Sequence, residues 1–159
     1  VLIDILKIKE TGTKFSSSYI RHQITNGNFE IVSKMLGRNW SMTGTVVQGD
    51  QRARQINFPT ANIFPKEKIF PKIGVYCIQV FANLKLYKGI ANFGYRPTVD
   101  GSTLLLEAHL FEFNDDIYGK ELTVEFLTFI RAELKFNNFQ ELTKQIQKDI
   151  ITARTYHQI

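Results

Sequence analysis

Gly74-Val75-Tyr76-Cys77-Ile78-Gln79-Val80-Phe81-Ala82-Asn83-Leu84-Lys85-Leu86-Tyr87-Lys88-Gly89-Ile90-Ala91-Asn92-Phe93 is the stretch that decides the fold. Its two runs, 74–82 and 85–93, are rich in β-branched and aromatic side chains, which fit a pleated, half-buried surface. Asn83-Leu84-Lys85 between them is a tight hairpin candidate. Runs of the same texture recur near 42–48, 61–64, 103–112 and 122–131. Pro59, Pro65, Pro71 and Pro97 are read as falling between strands, where a missing N–H costs least. Asn114-Asp115-Asp116 reads as a second hairpin turn. Strands spaced this closely predict a mainly β fold, either an antiparallel barrel or a sandwich. The 13 Phe and 6 Tyr lean the same way.

Outward from this β region the texture changes at both ends. Leu2, Ile3, Ile5, Leu6 and Ile8 form a short apolar strand. Ser16 to Ser18 then offer an N-cap for a helix carrying Tyr19, Ile20 and Ile24. Asn26-Gly27-Asn28 breaks it, and a second helix follows with Phe29, Ile31, Val32, Met35 and Leu36, capped by Gly37. This strand and helical hairpin are too small to stand as a domain. At the far end, Asn138 with Glu141 three residues on resembles a capping box. Leu142, Ile146, Ile150 and Ala153 recur at helical spacing, and Lys148 and Arg154 lie where the dipole favours cations.

The bulk composition narrows the function. At 159 residues the chain is one domain in size, and a 43% apolar content argues against disorder. Net charge is 20 − 15 = +5, which suits anionic partners and equally serves solubility. The cations are scattered, with no block resembling a nucleic-acid arm. Cys77 is the only cysteine, so an internal disulfide and a cysteine zinc cluster are excluded, and it reads as a buried strand thiol. No apolar window of membrane-spanning length and no secretory leader is visible, so a cytoplasmic enzyme is expected. The chain opens on Val1 inside an apparent strand, which reads as a fragment of something longer.

Chemistry concentrates in three places. Gly44 to Arg54 runs from a strand into a polar, basic loop, followed by Phe58-Pro59-Thr60-Ala61-Asn62. Alternation points Thr60 and Asn62 to one side, and their neutral oxygens suit Mg²⁺ when substrate phosphates supply most other ligands. Gly49 admits backbone N–H groups to a phosphate, which Arg52 and Arg54 would neutralise. The same residues also read as an ordinary hairpin loop. Asn92 to Gly101 reads as a long shaped loop between strands, in which Arg96 is either a phosphate contact or a solvated cation. Glu107 lies within an apolar strand, facing the side of Leu105, His109 and Phe111. A carboxylate there is either outward and solvated or a partly buried base of raised proton affinity. His109 reads as a satisfied strand histidine, and there is no Walker A loop or dinucleotide fingerprint.

Residues 40–158 resemble the riboflavin kinase module of bacterial bifunctional riboflavin kinase/FAD synthetases. The resemblance is carried by G-T-V-V-Q-G-D-Q-R (44–52), F-P-T-A-N (58–62), G-V-Y (74–76), A-N-F-G-Y-R-P-T-V-D-G (91–101), L-E-A-H-L-F-E-F (106–113) and Y-G-K (118–120) leading to V-E-F-L-T-F-I-R (124–131). It implies a six-stranded antiparallel Greek-key barrel with a C-terminal helix across it, acting on riboflavin with ATP and Mg²⁺ to give FMN. It further implies Thr60 and Asn62 as metal and phosphate ligands and Glu107 as catalytic base. Gly49, Asp50, Arg52, Asn92, Arg96 and Arg131 are implied as nucleotide or flavin contacts. Residues 15–21, F-S-S-S-Y-I-R, and the helix at 28–38 resemble the end of the same family's adenylyltransferase module. That divides the chain into a remnant at 1–39 and a kinase domain at 40–159, with the rest of the first module as partner in an intact parent. Ala53, Asn57 and Tyr95 depart from the family pattern. A non-catalytic flavin- or nucleotide-binding barrel and a nucleic-acid-binding barrel are the competing readings. Intact Thr60, Asn62 and Glu107 count against the first of these.

Overall fold

A computed structural model describes residues 16–47, 58–98 and 101–159. Among them, six strands form a closed antiparallel barrel: β1 (Trp40–Val47), β2 (Ala61–Pro65), β3 (Gly74–Ala82), β4 (Lys85–Thr98), β5 (Gly101–Leu110) and β6 (Glu121–Arg131). Their order around the barrel is β1-β2-β5-β4-β3-β6. β3, β4 and β5 follow one another as hairpins, while β6 returns beside β3 and β2 lies beside β5. Each return is a Greek key, so the barrel expectation holds and the sandwich alternative falls. Three helices complete the fold: α1 (Ser17–Thr25), α2 (Phe29–Leu36) and α3 (Phe139–His157). The expected strand at residues 2–8 lies outside the described residues.

Strand alternation sorts the side chains into two cores. Inside the barrel, Met42, Val46, Ile63, Val80, Phe93, Leu106, Val124 and Phe126 are sealed from solvent. Leu106, Ala108 and Leu110 point inward, as the period of two predicts. α1 and α2 add Ile24, Phe29 and Val32 to this same core, so no gap in packing marks position 39. Phe29 stacks on Trp40 and meets Tyr76 and Phe126 with ring centroids 5.2–5.5 Å apart. On the outer wall, Val75, Cys77, Ile90 and Phe111 form a second cluster with Ala153 of α3. Burial there pushes the Cys77 thiol up to about 12.

The helix ends follow the sequence signals. Ser16 Oγ accepts from the Tyr19 amide, and Asn138 Oδ1 from the Glu141 amide. The Glu141 carboxylate reaches back to the Asn137 amide, 3.1 Å away, one residue earlier than a capping box requires. Gly37 ends α2 at φ 69°, its N–H donating to Ser33 O, a left-handed position that suits glycine. In α2, Phe29, Val32 and Met35 are buried, whereas Ile31 is exposed at 37%.

Four expectations are corrected. Asn114-Asp115-Asp116 is no hairpin turn, because β5 and β6 are not neighbours and residues 111–120 cross the barrel instead. The loop expected at 92–101 is strand: β4 runs on to Thr98, which pairs with Gly101. Pro97 therefore sits inside β4 opposite Ser102. β3 begins at Gly74, opposite Phe93, so beyond Phe93 one edge of β4 is unpaired and a missing N–H is tolerated. Pro65 is the last residue of β2, not a linker. The β3–β4 reversal is as expected, with Ala82 opposite Lys85 and both Asn83 (φ 49°) and Leu84 (φ 61°) left-handed.

Candidate active site

Ladder register assembles the site. Asn62 of β2 stands opposite Glu107 of β5, and Glu107 opposite Asn92 of β4. Directly opposed residues project to the same face with Cβ atoms about 5 Å apart. Two carboxamides therefore flank one carboxylate on the outer wall, away from the apolar interior of Ile63, Leu106 and Phe93. Thr60 lies immediately before β2 and is half-buried. Asn62 is only 9% exposed, and among the described residues no hydrogen bond engages its carboxamide.

Glu107 is half-buried and ion-paired. Arg96, farther along β4, donates from Nε to Oε1 at 2.9 Å and from an Nη to Oε2 at 2.5 Å. This fork holds both carboxylate oxygens. The hydrogen bond to Glu107 is the largest influence raising the Arg96 pKa, with burial opposing it and the charges of Glu107 and Glu133 adding to it. Glu133, just past β6, lies 3.6 Å from another Arg96 nitrogen and accepts from the Asn92 carboxamide at 3.0 Å. Glu133 is the site residue that sequence reading missed. The Glu133 carboxylate occupies the space beside Gly94, where a Cβ would meet it and the side chain would have to shift.

The other expected residues are placed as follows. Arg131 stands in the same register row, opposite Val75, which is opposite Asn92. Three strand spacings, roughly 14 Å along the barrel wall, separate it from Glu107. Its guanidinium is committed to Asp149 of α3 through bonds of 2.6–3.0 Å and to the Ala132 carbonyl. Gly49, Asp50, Arg52, Ala53 and Asn57 lie outside the described residues. Tyr95 is exposed at 57%.

The donor set is chemically uniform. Thr60 hydroxyl, Asn62 carboxamide and Glu107 carboxylate are hard oxygens, the kind that Mg²⁺ or Ca²⁺ takes. No group of three or more His, Cys, Asp or Glu side chains converges among the described residues. A cation here would thus need oxygens from a bound substrate, as phosphates provide. The residues present fit such an ion. Among the described residues, no helix is long and apolar enough to cross a membrane.

Fold and row together define a class: a closed six-stranded Greek-key barrel whose outer wall carries a compact set of oxygen donors and one shared guanidinium. The riboflavin kinase family model matches residues 36–157. The bifunctional riboflavin kinase/FMN adenylyltransferase of Bacillus subtilis (strain 168) is 41% identical over 94% of this chain and 49% of its own length. A solved structure described as a macrolide-efflux protein from Streptococcus pneumoniae superposes with TM-score 0.86 at 33% identity, covering 96% of this chain and 50% of that one. Its description stands apart from those of the curated relatives. Riboflavin kinase from Trypanosoma brucei shares the fold with TM-score 0.52 at 24% identity, over 74% of this chain and 79% of its own. The chain belongs to the riboflavin kinase family. It spans about half the length of the curated relatives it matches.

Proposed function

We propose that this chain transfers the γ-phosphate of ATP to the 5′-hydroxyl of riboflavin, giving FMN and ADP. The observation that carries the reading is the Asn62–Glu107–Asn92 row on a barrel of this family. Phosphoryl transfer asks a protein mainly for positioning and charge neutralisation. Thr60 and Asn62 would supply oxygens to a Mg²⁺ ion that also takes nucleotide phosphate oxygens, and Gly49, Asp50 and Arg52 would serve as phosphate contacts. The bound ion supplies charge neutralisation at the transferring group. Glu107 takes the proton of the ribityl hydroxyl as its oxygen bonds to phosphorus and the bond to ADP breaks. General-base action of this kind contributes roughly 10²–10⁴-fold.

The ion pair sets a condition on that step. Arg96 gives one hydrogen bond to each oxygen of Glu107, which leaves each oxygen a further lone pair but makes the carboxylate a weaker proton acceptor. A shift of Arg96 toward the incoming phosphate would restore the basicity of Glu107, and Glu133, 3.6 Å from the same guanidinium, offers it a second carboxylate. Asn92 and Arg131 line the flavin side. Residues 1–39 are the end of an adenylyltransferase module, and the longer parent also converts FMN to FAD. The compartment is the cytoplasm, which keeps a lone thiol such as Cys77 reduced.

The test is incubation with riboflavin, ATP and Mg²⁺, with chromatographic separation of the flavins. FMN is expected, with kcat reduced at least 100-fold in Glu107→Gln and FMN nearly absent in Asn62→Ala. A folded chain that binds riboflavin without making FMN would return the reading to the non-catalytic barrel.

A further inference from the structure

The segment carrying Thr60 lies beyond the end of its ladder. β2 pairs with β5 over Ala61↔Ala108, Asn62↔Glu107 and Ile63↔Leu106 only. Pro59, two residues before that ladder, has no N–H with which to prolong it. A side chain takes over at this point. Nδ1 of His109, on β5, lies 2.9 Å from the Pro59 carbonyl oxygen. A carbonyl only accepts, so in this contact Nδ1 carries a proton and donates it. The Phe58 ring stands edge-on to the imidazole, centroids 5.1 Å apart, and Phe111 closes the other side at 5.7 Å. Thr60 is thereby fixed from both sides, by the His109 ring at Pro59 and by backbone pairing at Ala61.

We infer that His109 is a positioning residue: its ring latches the Phe58–Thr60 segment so that the oxygens of Thr60 and Asn62 are presented to phosphate and cation in one fixed geometry. The inference rests on the proposed role of Thr60 and Asn62, but the latch itself is a statement about this chain alone. Its surroundings disfavour the charged ring, although either form can donate from Nδ1. Burial lowers the His109 pKa, the Pro59 hydrogen bond opposes this, and the charge of Arg154 on α3 adds to the lowering. Arg154 lies over the Phe111 ring, 4.7 Å from its centroid.

Two variants separate donor from bulk. His109→Leu keeps volume and removes the donor; His109→Asn keeps a donor at the place of Nδ1. A neutral hydrogen bond nets about 1 kcal/mol, which is roughly a 5-fold change in a local opening equilibrium. Amide hydrogen exchange at Thr60, Ala61 and Asn62 is expected to speed up about 5-fold in His109→Leu and to return toward the parent rate in His109→Asn, with the β3–β4 amides unchanged in both. In steady-state assays His109→Leu is expected to raise KM for ATP with Mg²⁺ by a similar factor, leave kcat within about 2-fold, and be rescued by His109→Asn. Nitrogen NMR of the unmodified chain should find the proton on Nδ1, a readout that survives even if His109→Leu does not fold. An unprotonated Nδ1, or unchanged exchange at residues 60–62 in His109→Leu, overturns the latch. Failure of the unmodified chain to make FMN overturns the kinase reading instead, and the exchange and NMR results still decide the latch.

Discussion

Replacing Phe29 by alanine tests whether the helical hairpin at 17–36 belongs to the barrel or merely leans on it. The side chain is 1% exposed, and its ring touches those of Trp40, Tyr76 and Phe126. Buried Phe→Ala changes cost about 3–5 kcal/mol. Three aromatic neighbours, each worth up to about 1 kcal/mol beyond area, place this one near 4. For a chain of this size each kcal/mol moves Tm by about 2–4 °C, so a fall of roughly 8–16 °C is expected. Trp40 is the only tryptophan and stacks on Phe29, so its fluorescence reports both the local change and the global transition. The substitution lies outside residues 36–157, the part matched by the family model. A fall of less than about 3 °C would refute the argument that the hairpin shares the barrel core.

Other consequences are open to direct measurement. Asp149→Ala leaves the Arg131 guanidinium without its partner; the carboxylate side chain is 5% exposed, so a loss of about 3–5 kcal/mol is expected by urea denaturation. Leu84→Gly relieves a left-handed leucine that is 91% exposed; about 0.5–1 kcal/mol of added stability should appear in the same assay. His109 and His157 both have pKa values lowered chiefly by burial. An unfolded chain therefore binds these protons more readily. Their contribution to stability is whole above about pH 6.5 and is lost as pH falls through the lowered folded values. A urea midpoint lower at pH 5 than at pH 7.5, with a smaller difference in His157→Gln, is the expected pattern.

β-rich runs between turn residues located all six strands, though not the 94–98 end of β4, and period-two alternation put Leu106, Ala108 and Leu110 on one face. It also put Glu107 and His109 on one face. What it missed depends on pairings between distant parts of the chain. Pro97 looked like a breaker because a sequence does not display which strand edge is unpaired. Residues 114–116 looked like a hairpin because turn composition is the same whether the next strand is adjacent or across the barrel. Glu133 sits in no motif and joins the site through Asn92 and Arg96, contacts made between distant parts of the chain. Arg131 is visible as a cation, but its commitment to Asp149 comes from a helix 18 residues further on.

The row of Asn62, Glu107 and Asn92 has a kinetic meaning. Asn92 and Glu107 belong to one hairpin and can meet early, as neighbours in sequence do. Asn62 joins them only after β2 has closed against β5 across a connection that encloses β3 and β4. Closing such a loop is entropically slow compared with hairpin formation. On refolding, the circular-dichroism signal of the strands should therefore recover first and catalytic competence last. Turnover then serves as a clock for the closing of the barrel, and any partly assembled chain stays chemically silent.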